Sequence, residues 1–488
     1  MTLKFQVQGL GKIEDAEINI SPLTVITGPN GTGKSFFTKV AYSLFKMIED
    51  SSSLESTKEN AMYAINTCIS GIEENFKHFG DNEIVLEVKQ LVLQEYLNNI
   101  ELYDKIIEIS DSTPKEDEEK GLEKIHRIVI QLIESTSAEL SEEPFDNTVD
   151  LHPVYQKLNT IVASSPLDEK HLRMIRLRIL GLNNILMLLL ATSSNNEIAF
   201  SCVIEDSLER EILNNFQIQS LSEITNRKDA ITFNCEGLFD VSIKDNKVSA
   251  HINSNSQAIE LFRKKSSSIF FESPAYWRVR DALVNAKLKS GNEFLTGAPK
   301  YFFDLDTELR AKNTFNSELL EIYESIKMEI GGEFEFKHGE ISFQDNSINK
   351  SISKNLVSFG MTNLGMVNAL IKNNVIKKGS YVFIDEPETN LHPDWQVLMI
   401  QSLVALSKAG VNVIITTHST EILKYIEVAF SKIKEDEGEE KVKELLSINY
   451  LDTDGTSLEF DSECPIEQTK EALLELSSPF LKLYMEGA

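Results

Sequence analysis

The sequence has little cysteine, and the cysteines it has form no recognisable metal or disulfide pattern. Its 488 residues contain four cysteines, Cys68, Cys202, Cys235 and Cys464, and no C-x-x-C pair, which argues against a zinc site and a disulfide framework. Long apolar runs are also missing. The longest, residues 185–191, is too short to span a bilayer. The N-terminus lacks the apolar core of a signal peptide, so we expect a cytoplasmic protein without a membrane segment.

Basic residues are scarce relative to acidic ones. There are 48 lysines and arginines against 76 aspartates and glutamates, a formal net charge of −28. Broad binding to nucleic acid depends on neutralising phosphates with lysine and arginine, so this balance disfavours it without excluding a local basic patch. Residues 262–289 are comparatively basic, and we favour a solvated surface over a nucleic-acid contact there. The basic residues of this segment are Arg263, Lys264, Lys265, Arg278, Arg280, Lys287 and Lys289.

Hydrophobic periodicity divides the chain into regions of different character. Apolar residues have helical spacing in much of the stretch from about 45 to 195, but heptads are not sustained. We therefore expect a compact helical insertion. After residue 430, we expect a solvated helix face at 432–443, two strands at 448–451 and 457–460, and a terminal helix at 467–484.

The remaining sequence predicts two kinds of strand. Residues 230–233, 238–244 and 247–252 are typical of antiparallel strands, with Asp245-Asn246 as a tight turn. Four short apolar runs lack alternation, which favours strands buried on both faces of a parallel sheet. They lie at residues 23–27, 268–271, 381–384 and 411–416.

A glycine-rich loop with the sequence G-P-N-G-T-G-K-S occupies residues 28–35, between a predicted strand and a predicted helix. Glycines allow backbone N–H groups to surround an anion, and the helix N-terminus adds its positive dipole end. Lys34 would reach the β- and γ-phosphates, and the Ser35 hydroxyl would bind Mg²⁺. The pattern predicts binding of ATP with Mg²⁺, through Asn30, Gly31, Thr32, Gly33, Lys34, Ser35 and Phe36.

Polar residues follow the other predicted parallel strands at their carboxyl ends, where ligands bind in open α/β sheets. Glu272 follows 268–271, Asp385 and Glu386 follow 381–384, and His418 follows 411–416. Asp385 has the position of a magnesium ligand and Glu386 that of the general base. The alternatives are that Asp385-Glu386-Pro387 only caps a helix and that His418 is structural.

The segments D-E-P-E-T-N-L-H-P at 385–393 and T-T-H-S at 416–419 resemble the Walker B motif, D-loop and switch histidine of ABC-type ATPases. Within these they are most similar to the RecF/SMC-like and OLD-type branches. The resemblance implies an α/β fold, a P-loop head with a mixed sheet and an antiparallel β subdomain. It places the split head at residues 1–45 and 196–430, the helical insertion at 46–195, and a C-terminal strand and helix extension at 431–488.

The same resemblance assigns roles to further residues. The segment V-S-F-G-M-T-N-L-G at 357–365 stands where the family has its signature motif, so Ser358 and Gly360 are expected to contact nucleotide bound to the opposite subunit of a homodimer or higher homo-oligomer. The paired glycines of that motif are missing. The family's Q-loop glutamine is also absent, and Glu272 is the candidate that replaces it as a metal ligand beside Ser35 and Asp385.

The sequence after His418 lacks the clustered acidic ligands of the TOPRIM nuclease domain found in OLD proteins. It contains one acidic group, Asp452-Thr453-Asp454, which is more typical of a hairpin turn. The chain thus resembles stand-alone ATPases of bacterial anti-phage systems such as Septu, PARIS and retron-associated defence. That implies a separately encoded effector, a nuclease or toxin. The alternatives are a DNA-repair or chromosome-maintenance ATPase acting directly on DNA, and a non-hydrolysing nucleotide-binding scaffold.

Overall fold

A computed structural model describes residues 3–51, 197–225, 230–252, 266–272, 275–290, 297–311, 317–337 and 340–485. The chain divides into two compact units, the first formed by Met1–Ser52 with Ile204–Ala488 and the second by Ser53–Val203. Almost all of the second unit lies outside the described residues. The helical insertion expected at 46–195 therefore stays a prediction.

The described residues form thirteen strands and ten α-helices. The strands are β1 (Leu3–Leu10), β2 (Ile13–Ile20), β3 (Leu23–Thr27), β4 (Ala230–Cys235), β5 (Phe239–Lys244), β6 (Lys247–Ile252), β7 (Ser268–Phe271), β8 (Gly332–Lys337), β9 (Glu340–Asp345), β10 (Lys350–Ser353), β11 (Tyr381–Asp385), β12 (Asn412–Thr417) and β13 (Leu446–Tyr450). The α-helices are α1 (Lys34–Ser51), α2 (Glu197–Phe216), α3 (Ala275–Ser290), α4 (Lys300–Glu308), α5 (Leu320–Glu329), α6 (Phe359–Lys372), α7 (Pro393–Lys408), α8 (Thr420–Glu437), α9 (Glu439–Leu445) and α10 (Pro465–Met485).

The central sheet is parallel and has the strand order β13-β3-β12-β11-β7. Every residue of β3, β7 and β13 is buried, as expected for apolar strands covered on both faces. Helix α1 packs on this sheet through aromatic rings: Phe45 stacks on Tyr381 with centroids 4.1 Å apart, and Tyr42 meets Phe270 edge-on at 5.4 Å. The four predicted buried strands are confirmed, and all end at the same edge.

A second sheet is antiparallel, with the order β2-β1-β4-β5-β6. It contains the three antiparallel strands predicted at 230–252. The last two of them, β5 and β6, are joined by the turn at Asp245 and Asn246, whose φ angles are 50° and 63°. Positive φ at both central positions is the conformation that matches the twist of a two-residue hairpin. The α/β class predicted from the sequence, a P-loop head with an antiparallel β subdomain, is confirmed.

A third sheet, β10-β9-β8, is antiparallel and was not predicted. Helix α6 packs closely against this sheet. At Gly365 there is no space for a side chain, because an added β-carbon would lie 2.3 Å from the ring of Phe334. The middle of α6 is thereby held against this small sheet.

The C-terminal region differs from the sequence prediction in one respect. The strand predicted at 448–451 exists as β13, but it pairs with β3 in the parallel sheet, and no strand forms at 457–460. Only single bridges connect that segment to its neighbours. The charged stretch 432–443 is split between α8 and α9 at Gly438, and the predicted terminal helix is confirmed as α10. None of the described helices combines the length and apolar character that crossing a bilayer requires.

Candidate functional site

The loop at 28–35 is pressed between neighbouring segments, and its glycines make this possible. Gly28 and Gly33 have φ angles of 134° and 103°. A β-carbon on Gly28 would lie 2.1 Å from the carbonyl oxygen of Leu451, and one on Gly33 would lie 2.7 Å from Ile13. Both positions therefore require glycine on two grounds, backbone conformation and space. The loop is held from one side by the β1–β2 turn and from the other by the residue after β13.

Helix α1 begins at Lys34, so its first N–H groups, which have no partner within the helix, face the loop. The Lys34 side chain is only 6% exposed, and its Nζ donates to the carbonyl oxygens of Gly28 and Pro29 at 2.8 and 2.6 Å. Burial lowers the pKa of Lys34, although the carboxylates of Glu386 and Asp385 oppose this effect. A buried ammonium inside a ring of backbone groups is suited to a phosphate.

Ser35 and Asp385 are 350 positions apart in the chain and are in direct contact. The Ser35 Oγ donates to Asp385 Oδ1 at 3.0 Å, and the Thr416 hydroxyl donates to the same oxygen. Burial raises the pKa of Asp385, and the two hydroxyls oppose the rise. A hydroxyl beside a partly buried carboxylate fits Mg²⁺, which prefers oxygen ligands and is usually bound by one or two protein groups together with substrate phosphates.

Glu386 lies directly beyond Asp385, at the end of β11. Its φ of 51° is unusual for a residue with a side chain, and its N–H donates to the Thr416 carbonyl at 3.1 Å. This conformation leaves the carboxylate partly exposed, with Oε1 lying 3.2 Å from Nδ1 of His418. The two catalytic candidates named from the sequence are therefore adjacent, on neighbouring strands of one sheet edge.

Glu388 supports this pair from below the surface. Its Oε1 accepts from the Thr417 hydroxyl at 2.6 Å and from the His418 N–H at 3.3 Å. Its Oε2 is buried and has no hydrogen-bond partner, and burial raises the pKa of this carboxyl. Glu388 thus holds the backbone of the segment that carries His418.

Glu272 directly follows β7, the strand beside the one that ends in Asp385, and the partners of its carboxylate include Lys39, Tyr301 and Tyr276. Lys39 Nζ lies 2.8 Å from Oε1, and the Tyr301 hydroxyl donates to Oε2. Lys39 also lies 5.6 Å from the centre of the Tyr301 ring. The carboxylate is therefore already balanced by a cation from α1, and its role as a metal ligand stays a prediction.

Ser358 and Gly360 begin helix α6. Ser358 is the N-cap, its Oγ accepts from the Met361 N–H at 3.3 Å, and the residue is exposed. Gly360 is buried and packs closely on the D-loop-like segment, since an added β-carbon would lie 2.7 Å from Leu391. The structure therefore joins the predicted signature segment to the predicted D-loop and leaves the serine at the surface.

Four residues near the site, Lys12, Lys39, Glu388 and Thr416, were given no role from the sequence. Lys12, in the β1–β2 turn, has its Nζ 3.5 Å from the position of a β-carbon on Gly31. Thr416 and Glu388 lie within the quoted motifs but have hydroxyl and carboxyl contacts that spacing does not reveal. The position of Lys39 could have been predicted from the sequence, since it lies on α1 one turn after Ser35. The position of Lys12 could not, because only the fold brings the β1–β2 turn next to the loop.

A groove of about 1020 Å³ runs along β2 and β13. Its lining contains no residue of the 28–35 loop and none of the acidic or histidine candidates, so it is separate from this site. It is lined by polar groups on the two strands and on the segment 456–463.

The amino-acid sequence matches the model of the AAA ATPase domain family over residues 1–423. Solved structures that match include the SMC head domain from Thermotoga maritima, with 10% identity, a TM-score of 0.33, and coverage of 87% of this chain and 92% of that one. The Smc head domain of Pyrococcus yayanosii, with a coiled coil and joint, has 12% identity, a TM-score of 0.30 and coverage of 97% and 100%.

The Smc head domain of Pyrococcus furiosus, bound to the C-terminal domain of ScpA, has 11% identity, a TM-score of 0.28 and coverage of 98% and 100%. A search of curated proteins gave no match. The family match spans most of the chain and includes the loop, the Asp385-Glu386 pair and His418. This protein belongs to the AAA ATPase domain family.

Proposed function

We propose that this protein binds ATP with Mg²⁺ and hydrolyses it to ADP and phosphate. The observation that carries the proposal is the 3.0 Å contact between Ser35 and Asp385, with Glu386 and His418 at the same sheet edge. Residues so distant in sequence are brought together where a phosphate-binding loop meets an acidic strand end. That combination is the arrangement of P-loop nucleotide hydrolases.

Each side chain has a task that its position suits. The loop N–H groups and Lys34 would hold the β- and γ-phosphates, and Ser35 with Asp385 would hold Mg²⁺. When bound, the metal neutralises phosphate charge during transfer. Glu386 is partly exposed and next to His418, so it is placed to accept a proton from an attacking water. His418 would hydrogen-bond the γ-phosphate, and Glu388 fixes its backbone.

We further propose that two copies bind nucleotide between them, as a homodimer or within a higher homo-oligomer. Ser358 is exposed at the start of α6, where free helix N–H groups favour an anion. ATP held by Lys34 and Asp385 of one copy would be contacted by Ser358 and Gly360 of the other. Binding would join the two heads and hydrolysis would release them.

The biological role we propose is control of a separately encoded effector, a nuclease or toxin, in bacterial anti-phage defence. Support comes from the resemblance of segments 385–393 and 416–419 to OLD-type ATPases. A test is whether the product of the neighbouring gene co-purifies with this protein in a nucleotide-dependent manner. An effector that binds equally well with ATP, with ADP and without nucleotide would contradict nucleotide control.

The ATPase and dimer proposals are tested with two variants. Glu386→Gln should bind ATP, release no phosphate and accumulate as a dimer in size-exclusion chromatography with light scattering. Lys34→Ala should neither bind ATP nor dimerise. If both variants elute identically with ATP, the shared-nucleotide dimer is wrong. If the unmodified protein binds ATP but releases no phosphate, the protein is a nucleotide-binding scaffold.

A further inference from the structure

The segment that leads to Ser358 is anchored by a buried lysine. Lys354 begins a short 3₁₀ helix, Lys354–Leu356, four residues before Ser358. The lysine is 9% exposed, while Leu356, two residues later, is 79% exposed. Lys354 Nζ lies 2.9 Å from Asp281 Oδ2 on α3. The path of the chain into α6 therefore depends on a charged contact to another helix.

Asp281 belongs to a larger cluster of ion pairs. Its other oxygen, Oδ1, accepts from Arg280 at 2.7 Å, and Arg280 is 2% exposed. Arg280 also pairs with the buried Asp306 of α4, through Nη2 at 3.2 Å and through Nε. Hydrogen bonds from Lys354 lower the pKa of Asp281, so this aspartate is ionised at neutral pH. The Asp281 side chain itself is 64% exposed, whereas Lys354 and Arg280 are buried, so removing Asp281 would leave buried cations with less compensating charge.

The same short helix, α4, also reaches the nucleotide side of the site. Tyr301 is on α4, five residues before Asp306, and its hydroxyl donates to Glu272. Glu272 in turn pairs with Lys39 of α1, the helix that begins at the phosphate loop. Contacts therefore run continuously from α1, which begins at the phosphate loop, through α4 and α3 to Lys354, which precedes the candidate signature segment.

We infer that Lys354 and Asp281 are positioning residues that set Ser358 for contact with the nucleotide of a second copy. This inference rests on the shared-nucleotide dimer proposed above. The reason is mechanical: apart from the buried Val357, the residues between Lys354 and Ser358 are exposed, so the ion pair is the main polar anchor of the segment. Without it, the backbone at Ser358 would adopt several positions, and only a fraction of molecules would present the serine correctly.

The test uses Glu386→Gln full-length protein, in which the ATP-bound dimer accumulates. Lys354→Met keeps the length of the side chain without its charge, and Lys354→Arg keeps the charge. We expect Lys354→Met to weaken ATP-dependent dimerisation about tenfold, while the affinity of the monomer for a fluorescent ATP analogue is unchanged. Lys354→Arg should restore dimerisation. Lys372→Met, which breaks a Lys372–Glu333 pair at the other end of α6, is the matched control and should leave dimerisation intact.

A second variant separates pairing from general damage. Asp281→Asn should weaken dimerisation as Lys354→Met does, and the double variant should be no worse than either alone, because both remove one interaction. Dimerisation of Lys354→Met at the parent affinity, with the parent itself dimerising, would overturn this inference alone. If the Glu386→Gln parent fails to dimerise with ATP, both the dimer proposal and this inference are wrong.

Discussion

At the scale of single residues, the carboxyl group of Asp385 is partly buried at the edge of the parallel sheet. Asp385 accepts two hydroxyl hydrogen bonds, yet burial still raises its pKa above the ordinary value. A carboxylate in that position destabilises the fold without a cation and binds a cation well. The same group would thus favour the Mg²⁺ and nucleotide that we propose bind here.

We therefore expect Asp385→Asn to stabilise the nucleotide-free protein at neutral pH. A raised carboxyl pKa means that the folded state binds protons more readily, so stability falls as pH rises from the ordinary aspartate pKa through the raised one. Asparagine keeps the acceptor oxygen without this penalty, and a gain on the order of 1 kcal/mol is expected. Urea unfolding at pH 4 and pH 7 measures it, and the gain should be larger at pH 7.

The control for this variant is Asp436→Asn, which changes an exposed aspartate of α8 and should leave the unfolding free energy nearly unchanged. With ATP and Mg²⁺ added, the order should reverse, because only the unmodified protein gains stability from ligand binding. A nucleotide-free Asp385→Asn protein that is less stable than the parent at pH 7 would contradict the argument from burial.

Gly28→Ala tests whether the close approach of Leu451 to the 28–35 loop fixes the conformation of the loop. An added methyl would lie 2.1 Å from the Leu451 carbonyl oxygen at a φ of 134°, so we expect a loss of about 2–5 kcal/mol. Gly237→Ala is the matched control, since Gly237 also has a positive φ, 73°, but nothing lies within 4 Å. It should lose about 1 kcal/mol from backbone strain alone. Equal losses in the two variants would show that crowding by Leu451 is unimportant.

At the scale of elements, β13 shows where sequence patterns stop being sufficient. Residues 448–450 of this buried strand fall within the strand predicted at 448–451, which we expected to pair locally around a hairpin turn. Instead β13 extends the parallel sheet at β3, more than 400 residues earlier in the chain. A short apolar run has no local preference between these partners, and the choice depends on which sheet edge is left open once the other strands have assembled.

Asn449 makes the position of β13 testable. Its side chain accepts from the Asn19 N–H at 2.7 Å and donates to the Asn19 carbonyl at 3.0 Å, so it joins β13 to the edge of β2. Asn449→Ala would remove the acceptor of the Asn19 N–H, while the Asn19 carbonyl keeps the Ser447 hydroxyl, and we expect a loss of about 1–3 kcal/mol in the free energy of unfolding. Ser447→Ala removes one hydrogen bond to the same carbonyl and should cost less. An unchanged Asn449→Ala protein would show that the two sheets do not depend on this bridge.

At the scale of the whole molecule, charge bears on the alternative of direct action on DNA. The formal net charge is −28, and two cations of the comparatively basic segment at 262–289 are used internally. Arg280 is buried against Asp306, and Lys287 lies 4.0 Å from the ring centre of Phe303. Residues 253–265, with Arg263, Lys264 and Lys265, lie outside the described part of the chain.

We expect duplex DNA to leave the rate of phosphate release unchanged at low salt, because phosphate binding requires clustered free lysines and arginines. The measurement is ATPase activity with and without linear duplex DNA over a range of salt concentrations. Arg278→Gln, at an exposed arginine of α3, serves as a probe of the remaining basic surface. A stimulation that falls with salt and is reduced in this variant would favour the DNA-maintenance alternative.

Local sequence patterns predict the candidate site residues: the loop at 28–35, Asp385 and Glu386 after one buried strand, and His418 after another. Such signals are local because a turn, a strand end or a helix start is specified by neighbouring residues. Only the packing of distant segments brings Ser35 into contact with Asp385 and places Lys12 and Leu451 beside the loop. The same packing pairs Lys39 with Glu272 and Lys354 with Asp281. These contacts join segments far apart in the chain, and their geometry depends on how several sheets and helices pack together.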